Sequence, residues 1–206
     1  MKKYEELAKS VIYKKKGNNF ILDRMDPCLE LVGEGRSAFA FRIKGTDKVL
    51  KVFYPPFERI AKEEAEVYAR LMRNPFYPKL YGSGKNFLVI DYVSGKTLFD
   101  CLTEGIPISS RQIREVDLAL RLARDRGLNP SDIHLRNIIV TPGGKVRLID
   151  VARFRQKKKC SQWDDLKAAF YKLYNRKLFP KKIPERLINL IAYFYKKGML
   201  PSISLH

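Results

Sequence analysis

Cysteine is scarce. Cys28, Cys101 and Cys160 are odd in number and far apart, which excludes a disulfide framework and a paired metal-ligand motif and makes a reducing cytosol the simplest compartment. Long apolar runs are missing too. The longest, residues 187–195, is interrupted by Asn189 and is much too short to cross a bilayer, so no transmembrane segment is expected and membrane contact would be peripheral at most. The first residues, with Lys2 and Lys3 and then Lys14, Lys15 and Lys16, reach no apolar core and do not read as a secretory signal. No repeat or low-complexity tract is present. Acidic residues are few, 22 against 41 Lys and Arg, for a formal charge of +19. Such a field favours polyanionic partners: nucleotides, nucleic acid, acidic proteins or an anionic membrane surface. Solubility alone would also account for it.

What is present is enough for a substantial core, because 45% of the 206 residues are hydrophobic. One domain in two lobes is expected. Residues 1–28 read as an N-terminal extension, with a loop-like run at 14–19. Short β-like segments follow at 29–32, 38–43, 48–53 and 87–92. Between the last two, Ile60, Ala61, Val67, Tyr68 and Leu71 recur at helical spacing over 57–72, and Pro75 and Pro78 stop the pattern. From residue 94 onward the character reverses, with amphipathic helices predicted at 98–102, 113–126, 162–174 and 185–197. One hairpin, 137–140 and 145–149, is joined by Thr141-Pro142-Gly143-Gly144. The expected fold is α+β: a small antiparallel β lobe carrying one helix over 29–93, then a reduced helical lobe over 94–206. A cleft between such lobes is where ligands usually bind.

Several polar residues stand out against this background. Gly33-Glu34-Gly35-Arg36-Ser37-Ala38 lies between two predicted strands, so it does not match a dinucleotide-binding turn, which needs a following helix. A strand–loop–strand glycine turn can instead lie over phosphates, since no side chain blocks approach to the backbone. An ordinary hairpin turn would carry the same glycines. Lys51 is a lone cation in the apolar strand Val49-Leu50-Lys51-Val52-Phe53 and needs an anion if it is buried. Of Glu63, Glu64 and Glu66 on the following helix, Glu64 shares a face with Val67, Tyr68 and Leu71 and is the expected partner. An exposed edge-strand lysine and a solvated acidic face are the plainer alternative. Furthest along lie Asp132 and Asn137, in Ser131-Asp132-Ile133-His134-Leu135-Arg136-Asn137, and then Asp150 at the end of the predicted hairpin. Singly, these are ordinary loop and strand-end residues.

Together, and in this order, they resemble the protein-kinase-like superfamily. Asp132 and Asn137 have the D-x-x-x-x-N spacing of its catalytic loop, and Asp150 stands where it places the aspartate of D-F-G. The resemblance implies a bilobal kinase-like fold that uses ATP with Mg2+. Asp132 would then orient or deprotonate an acceptor hydroxyl, and Asn137 and Asp150 would hold magnesium. Lys51, braced by Glu64, would meet the phosphates beneath the turn of Gly33, Gly35 and Ser37. Residues 87–98 resemble the strand and hinge between kinase lobes, so backbone groups of Asp91 and Val93 would meet adenine. Trp163-Asp164-Asp165-Leu166 resembles the helix whose aspartate braces the catalytic loop, although an acidic first helical turn explains those residues equally well.

The departures narrow the expectation. Ala38 replaces the third glycine, Val151 and Ala152 replace the Phe and Gly of D-F-G, and Asn129-Pro130-Ser131 precedes the catalytic aspartate in place of His-Arg. Only about ten residues separate Asp150 from the helix near Gln162, and no A-P-E follows, so a long activation loop and its peptide-docking platform do not fit. His134 makes the loop D-x-H-x-x-N, similar to aminoglycoside and lipopolysaccharide-core kinases, while the small size is similar to the atypical RIO and Bud32 families. His134 itself reads as a packed loop residue. Arg153, Arg155, Lys157, Lys158 and Lys159 form a basic run suited to an acidic acceptor, or simply a solvated basic loop. The expected function is an ATP-dependent kinase acting on a protein serine or threonine. A small-molecule kinase of the sugar or lipopolysaccharide type is the alternative, as is a pseudokinase or ATPase switch acting as a nucleotide-dependent binding module, in a nucleic-acid-associated or larger assembly. Retention of Lys51, Asp132, Asn137 and Asp150 argues against a dead enzyme.

Overall fold

The computed structural model describes residues 3–17, 19–158, 160–197 and 199. The chain forms two compact units, Met1–Val93 with Asp150–Arg155, and Ser94–Ile149 with the remainder.

The first unit is built on one antiparallel sheet. Its strands are β3 (Leu29–Glu34), β4 (Ala38–Ile43), β5 (Lys48–Phe53), β6 (Leu80–Ser83) and β7 (Phe87–Asp91), in the order β3-β4-β5-β7-β6. Period-2 alternation sorts their side chains onto two faces. Phe39, Phe41 and Ile43 of β4, Leu50 and Val52 of β5 and Val89 of β7 share one buried cluster. This face is covered by the N-terminal residues. A short helix α1 (Tyr4–Lys9) adds Leu7 and Ala8 to the cluster, and the hairpin of β1 (Ile12–Lys16) and β2 (Asn19–Arg24) lays Tyr13 and Phe20 against Tyr54, with the Phe20 and Tyr54 rings stacked at 4.4 Å.

The opposite face carries Lys51, which pairs with Leu88 across β5 and β7. Against it packs α2 (Glu58–Arg70), entered through a 3-10 turn at Pro55–Phe57. Ala61, Glu64, Ala65 and Tyr68 are buried on one stripe of α2, at the i, i+3, i+4, i+7 spacing of a core-facing helix. Sheet and helix periods therefore bring a lysine and a glutamate thirteen positions apart onto facing surfaces.

The second unit is mostly helical: α3 (Leu98–Glu104), α4 (Ser110–Arg124), α5 (Gln162–Ala169) and α6 (Glu185–Lys196). Capping residues set the first two helix starts. Thr97 accepts from the Asp100 amide and Ser109 from the Gln112 amide, each in a capping box. Three short strands, β8 (Lys96–Thr97), β9 (Ile138–Val140) and β10 (Val146–Leu148), form a sheet in the order β10-β9-β8. Gly95, just ahead of β8, has φ 149°, and a Cβ there would lie 2.2 Å from the Val140 carbonyl oxygen. Only glycine permits that approach.

The structure departs from the sequence reading at several elements. Of the run at 14–19 read as loop, residues 14–16 belong to β1 and Asn19 opens β2, with Gly17 between them at φ 62°. The helix expected over 162–174 is α-helical only to Ala169 and then widens into a π turn over Phe170–Tyr174. Asn137, expected in a strand, sits in a 3-10 turn, Leu135–Asn137, that precedes β9.

Candidate active site

In the first unit, Lys51 Nζ donates to both carboxylate oxygens of Glu64, at 2.8 and 3.0 Å, and lies 3.4 Å from Asp150 Oδ1. The Glu64 side chain is fully buried, that of Lys51 is 16% exposed and that of Asp150 is 49% exposed. Two carboxylates thus face one ammonium, and the more open one is Asp150. Burial alone would lower the Lys51 pKa, but the Glu64 charge, seconded by Asp150, outweighs it and holds the ammonium well above the ordinary range. Burial raises Glu64 to about 7, with Lys51 opposing the shift and Asp150 reinforcing it. With both carboxylates ionised, the cluster carries one negative charge in excess. Asp150, the open carboxylate of the two, offers hard oxygen donors of the kind magnesium takes.

Tyr68, one turn beyond Glu64, is fully buried, and its phenol is pushed well above its ordinary pKa by burial and then by the charges of Glu64 and Asp150. Sequence reasoning counted Tyr68 only as core. Its position four residues after Glu64 was the available signal.

The glycine turn closes by its own hydrogen bonds. Gly33 stays in β3 opposite Ala40, beside a register shift. The Gly35 amide donates to the Ala38 carbonyl at 2.9 Å, and the Gly35 carbonyl accepts from Tyr54 Oη at 3.1 Å. The Ser37 carbonyl accepts from the Tyr54 amide at 3.0 Å. At the end of β7, Tyr92 N–H donates to the Asp47 carbonyl, so the neighbouring Lys48–Asp91 pair is the non-hydrogen-bonded kind and the backbone groups of Asp91 point away from β5. The Asp91 amide donates to the Lys79 carbonyl at 3.1 Å, and its carboxylate accepts from the Lys79 amide and Tyr81 Oη, each at 2.8 Å. Val93 follows the strand and is half-buried.

In the second unit, Asp132 and Asn137 are held by backbone. Asn137 is buried. Its Nδ2 donates to the Asp132 carbonyl at 3.3 Å, and its amide donates to the His134 carbonyl at 2.9 Å. The Asn137 carbonyl accepts from the amide of Ile149, the residue before Asp150. Since Nδ2 is engaged, Oδ1 is the ligating atom that Asn137 has to offer. Asp132 has φ 62° and Asp150 φ 58°, and Arg73 is the only other non-glycine residue with positive φ among the described residues. Such backbone is uncommon outside glycine and persists where the surroundings enforce it, often at functional sites.

The expected acidic brace takes a different form. Asp164 is largely exposed, and Asp165 accepts from Ser161 Oγ and, at 2.7 Å, from Tyr195 Oη of α6. The Trp163 indole donates to Asp117 of α4 at 2.7 Å. In the basic run, Arg155 is ion-paired with Glu66 of α2, while Arg153, Lys157 and Lys158 are exposed. Lys159 lies outside the described residues. Asn129 Nδ2, which sequence reasoning passed over, donates to the carbonyls of Gln156 and Lys158 and ties this segment to the approach of the Asp132 loop. Separately, a groove of about 640 Å3 between α2 and β6, lined by Glu58, Arg59, Ala69 and Leu80 among others, contains none of Lys51, Glu64 or Asp150.

No family model matches the chain. Similar proteins include three from different organisms. A Bacillus subtilis protein named "Putative serine/threonine-protein kinase YrzF" is 47% identical over 197 residues, covering 95% of this chain and 92% of the relative. A "Probable cAMP-dependent protein kinase catalytic subunit" of Encephalitozoon cuniculi is 30% identical over 55% of this chain and 37% of its own length. A "Probable serine/threonine-protein kinase CPE1738" of Clostridium perfringens is 29% identical over 63% of this chain and 22% of its own length. With the α+β fold and the Lys51–Glu64–Asp150 cluster, these similarities show that the chain belongs to the protein-kinase-like family, as an ATP-dependent kinase.

Proposed function

We propose that this chain transfers the γ-phosphoryl group of ATP to the hydroxyl of a protein serine or threonine, with Asp132 as the group that orients the acceptor and receives its proton. The acceptor oxygen forms a bond to phosphorus as the bond to the ADP oxygen breaks, and the hydroxyl proton passes to the Asp132 carboxylate. Lys51 neutralises phosphate charge in this reading, and Glu64 holds its ammonium extended and protonated. Asp150 and Asn137 Oδ1 would hold magnesium, which supplies charge neutralisation on the phosphate oxygens when bound. The turn of Gly33, Gly35 and Ser37 would cover the phosphates, and the backbone of Asp91 and Val93 would receive adenine. A compact, atypical subtype rests on D-x-H-x-x-N at Asp132 and on the short stretch from Asp150 to α5. An acidic acceptor suits the exposed Arg153, Lys157 and Lys158.

The observation that carries this reading is the contact of Lys51 with Glu64 and Asp150, which sets an ammonium beside a half-exposed carboxylate, the two charges that a metal-bound phosphate calls for. Incubating the chain with a cell extract and γ-labelled ATP, then separating protein from metabolites, tests it. Label is expected in protein as phosphoserine or phosphothreonine and is lost with Asp132→Ala. Label only in metabolites would make the acceptor a small molecule. Equal, slow turnover by both proteins would leave a nucleotide-dependent binding module.

A further inference from the structure

The last helix leaves most of its apolar surface uncovered. Of α6, Ile188 is buried, whereas Leu187, Leu190, Ile191 and Tyr193 are 46%, 50%, 48% and 51% exposed. At about 100° per residue, Leu187, Leu190 and Ile191 fall on a single arc of roughly 100°, and Arg186 lies just beyond its edge. Lys197, on the same edge, sits 4.6 Å from the centre of the Tyr193 ring. Just upstream, Leu178 is 96% exposed. This apolar surface stands in a strongly basic part of the chain, for residues 170–197 carry eight Lys and Arg against a single acid, Glu185.

We infer that α6 and the basic stretch before it form a peripheral docking surface for an anionic lipid bilayer, with α6 lying in the plane of the interface. Charge selects this occupant. An isologous contact with a second copy would set the same eight-to-one basic excess against itself, and each copy would repel the other. Nucleic acid would satisfy the cations but offers nothing to a band of half-exposed leucine and isoleucine. An anionic membrane satisfies both, since aliphatic side chains enter the acyl boundary while Lys and Arg remain among the headgroups. The helix has twelve residues, and no helix among the described residues is long and apolar enough to cross a membrane, so the contact is superficial.

Sedimentation of the full chain with vesicles decides the matter. Vesicles of phosphatidylcholine with about 30% phosphatidylglycerol, at roughly 0.15 M salt, should carry the protein down, and phosphatidylcholine alone should not. The double variant Leu187→Ser/Ile191→Ser keeps every charge and should partition about tenfold less or weaker, because two aliphatic anchors are lost. Ile12→Ser/Ile21→Ser, which alters exposed apolar residues on the β1–β2 hairpin, should bind like the parent. A thermal melt of each variant separates loss of binding from loss of fold. Absence of binding to the anionic vesicles overturns the inference, as does binding that Leu187→Ser/Ile191→Ser leaves unchanged, which would be attraction by charge alone. A dimer in sedimentation velocity that the same variant dissolves, without vesicle binding, would assign the surface to a second copy.

Discussion

The two groups of polar residues proposed to carry phosphoryl transfer are held in opposite ways. Lys51, Glu64 and Asp150 are side chains gripping side chains, with Glu64 fully buried and one ammonium shared by two carboxylates. Asp132 and Asn137 are positioned by backbone: positive φ at Asp132, and the Asn137 amide group bonded to the Asp132 carbonyl. The difference teaches that stability and chemistry are joined in the first group and separable in the second. Removing a charge from a buried cluster strands its partner, whereas trimming a half-exposed carboxylate on a loop leaves the fold nothing to repair.

The sharpest break in that comparison is Asp132→Asn, which should reduce phosphoryl transfer by about 10³-fold while leaving the melting temperature and ATP affinity near the parent's. Lys51→Met should damage both properties. It leaves the Glu64 carboxylate buried and unpaired, and denaturant titration should show a loss of about 3 kcal/mol together with weakened ATP binding. Gly95→Ala tests a position where backbone geometry alone matters. Its Cβ would meet the Val140 carbonyl, so about 2 kcal/mol of destabilisation is expected in the same titration.

The smallest effect is a matter of pH. Glu64 is raised from 4.5 to about 7 in the folded chain, so the folded state takes up its proton more readily than the unfolded state. Its contribution to stability is complete below 4.5 and is lost as the pH climbs through about 7. Stability of the parent should therefore fall across that window. Glu64→Gln, with nothing to titrate, should lack that part of the slope.

How much of this was legible in the sequence follows from the physics of each signal. β4 and β5 announced their bounds because each is a short, largely apolar run, with Gly45 in the turn between them. The Lys51–Glu64 pair was legible because a charge inside an apolar strand demands a counter-charge, and only Glu64 shares the apolar stripe of α2. The elements that escaped were short or disguised. The six residues of α1 are too few to establish a helical period, β8 has two residues, and β1 hides as Tyr-Lys-Lys-Lys, whose cations read as loop. Glycine obscured β6, with Gly82 where its register shifts. The Arg155–Glu66 pair and the role of Asn129 depend on long-range placement, which no local pattern encodes.

One measurement bears most directly on the claim that the buried cluster and the strained loop serve a single reaction. It is a double-mutant cycle of Lys51→Met and Asp132→Asn, read as initial transfer of label from γ-labelled ATP to dephosphorylated casein. Residues acting on one transition state lose their effects together, so the double variant should be little worse than the poorer single variant. Losses that multiply in full, or single variants that transfer as fast as the parent, would contradict the account.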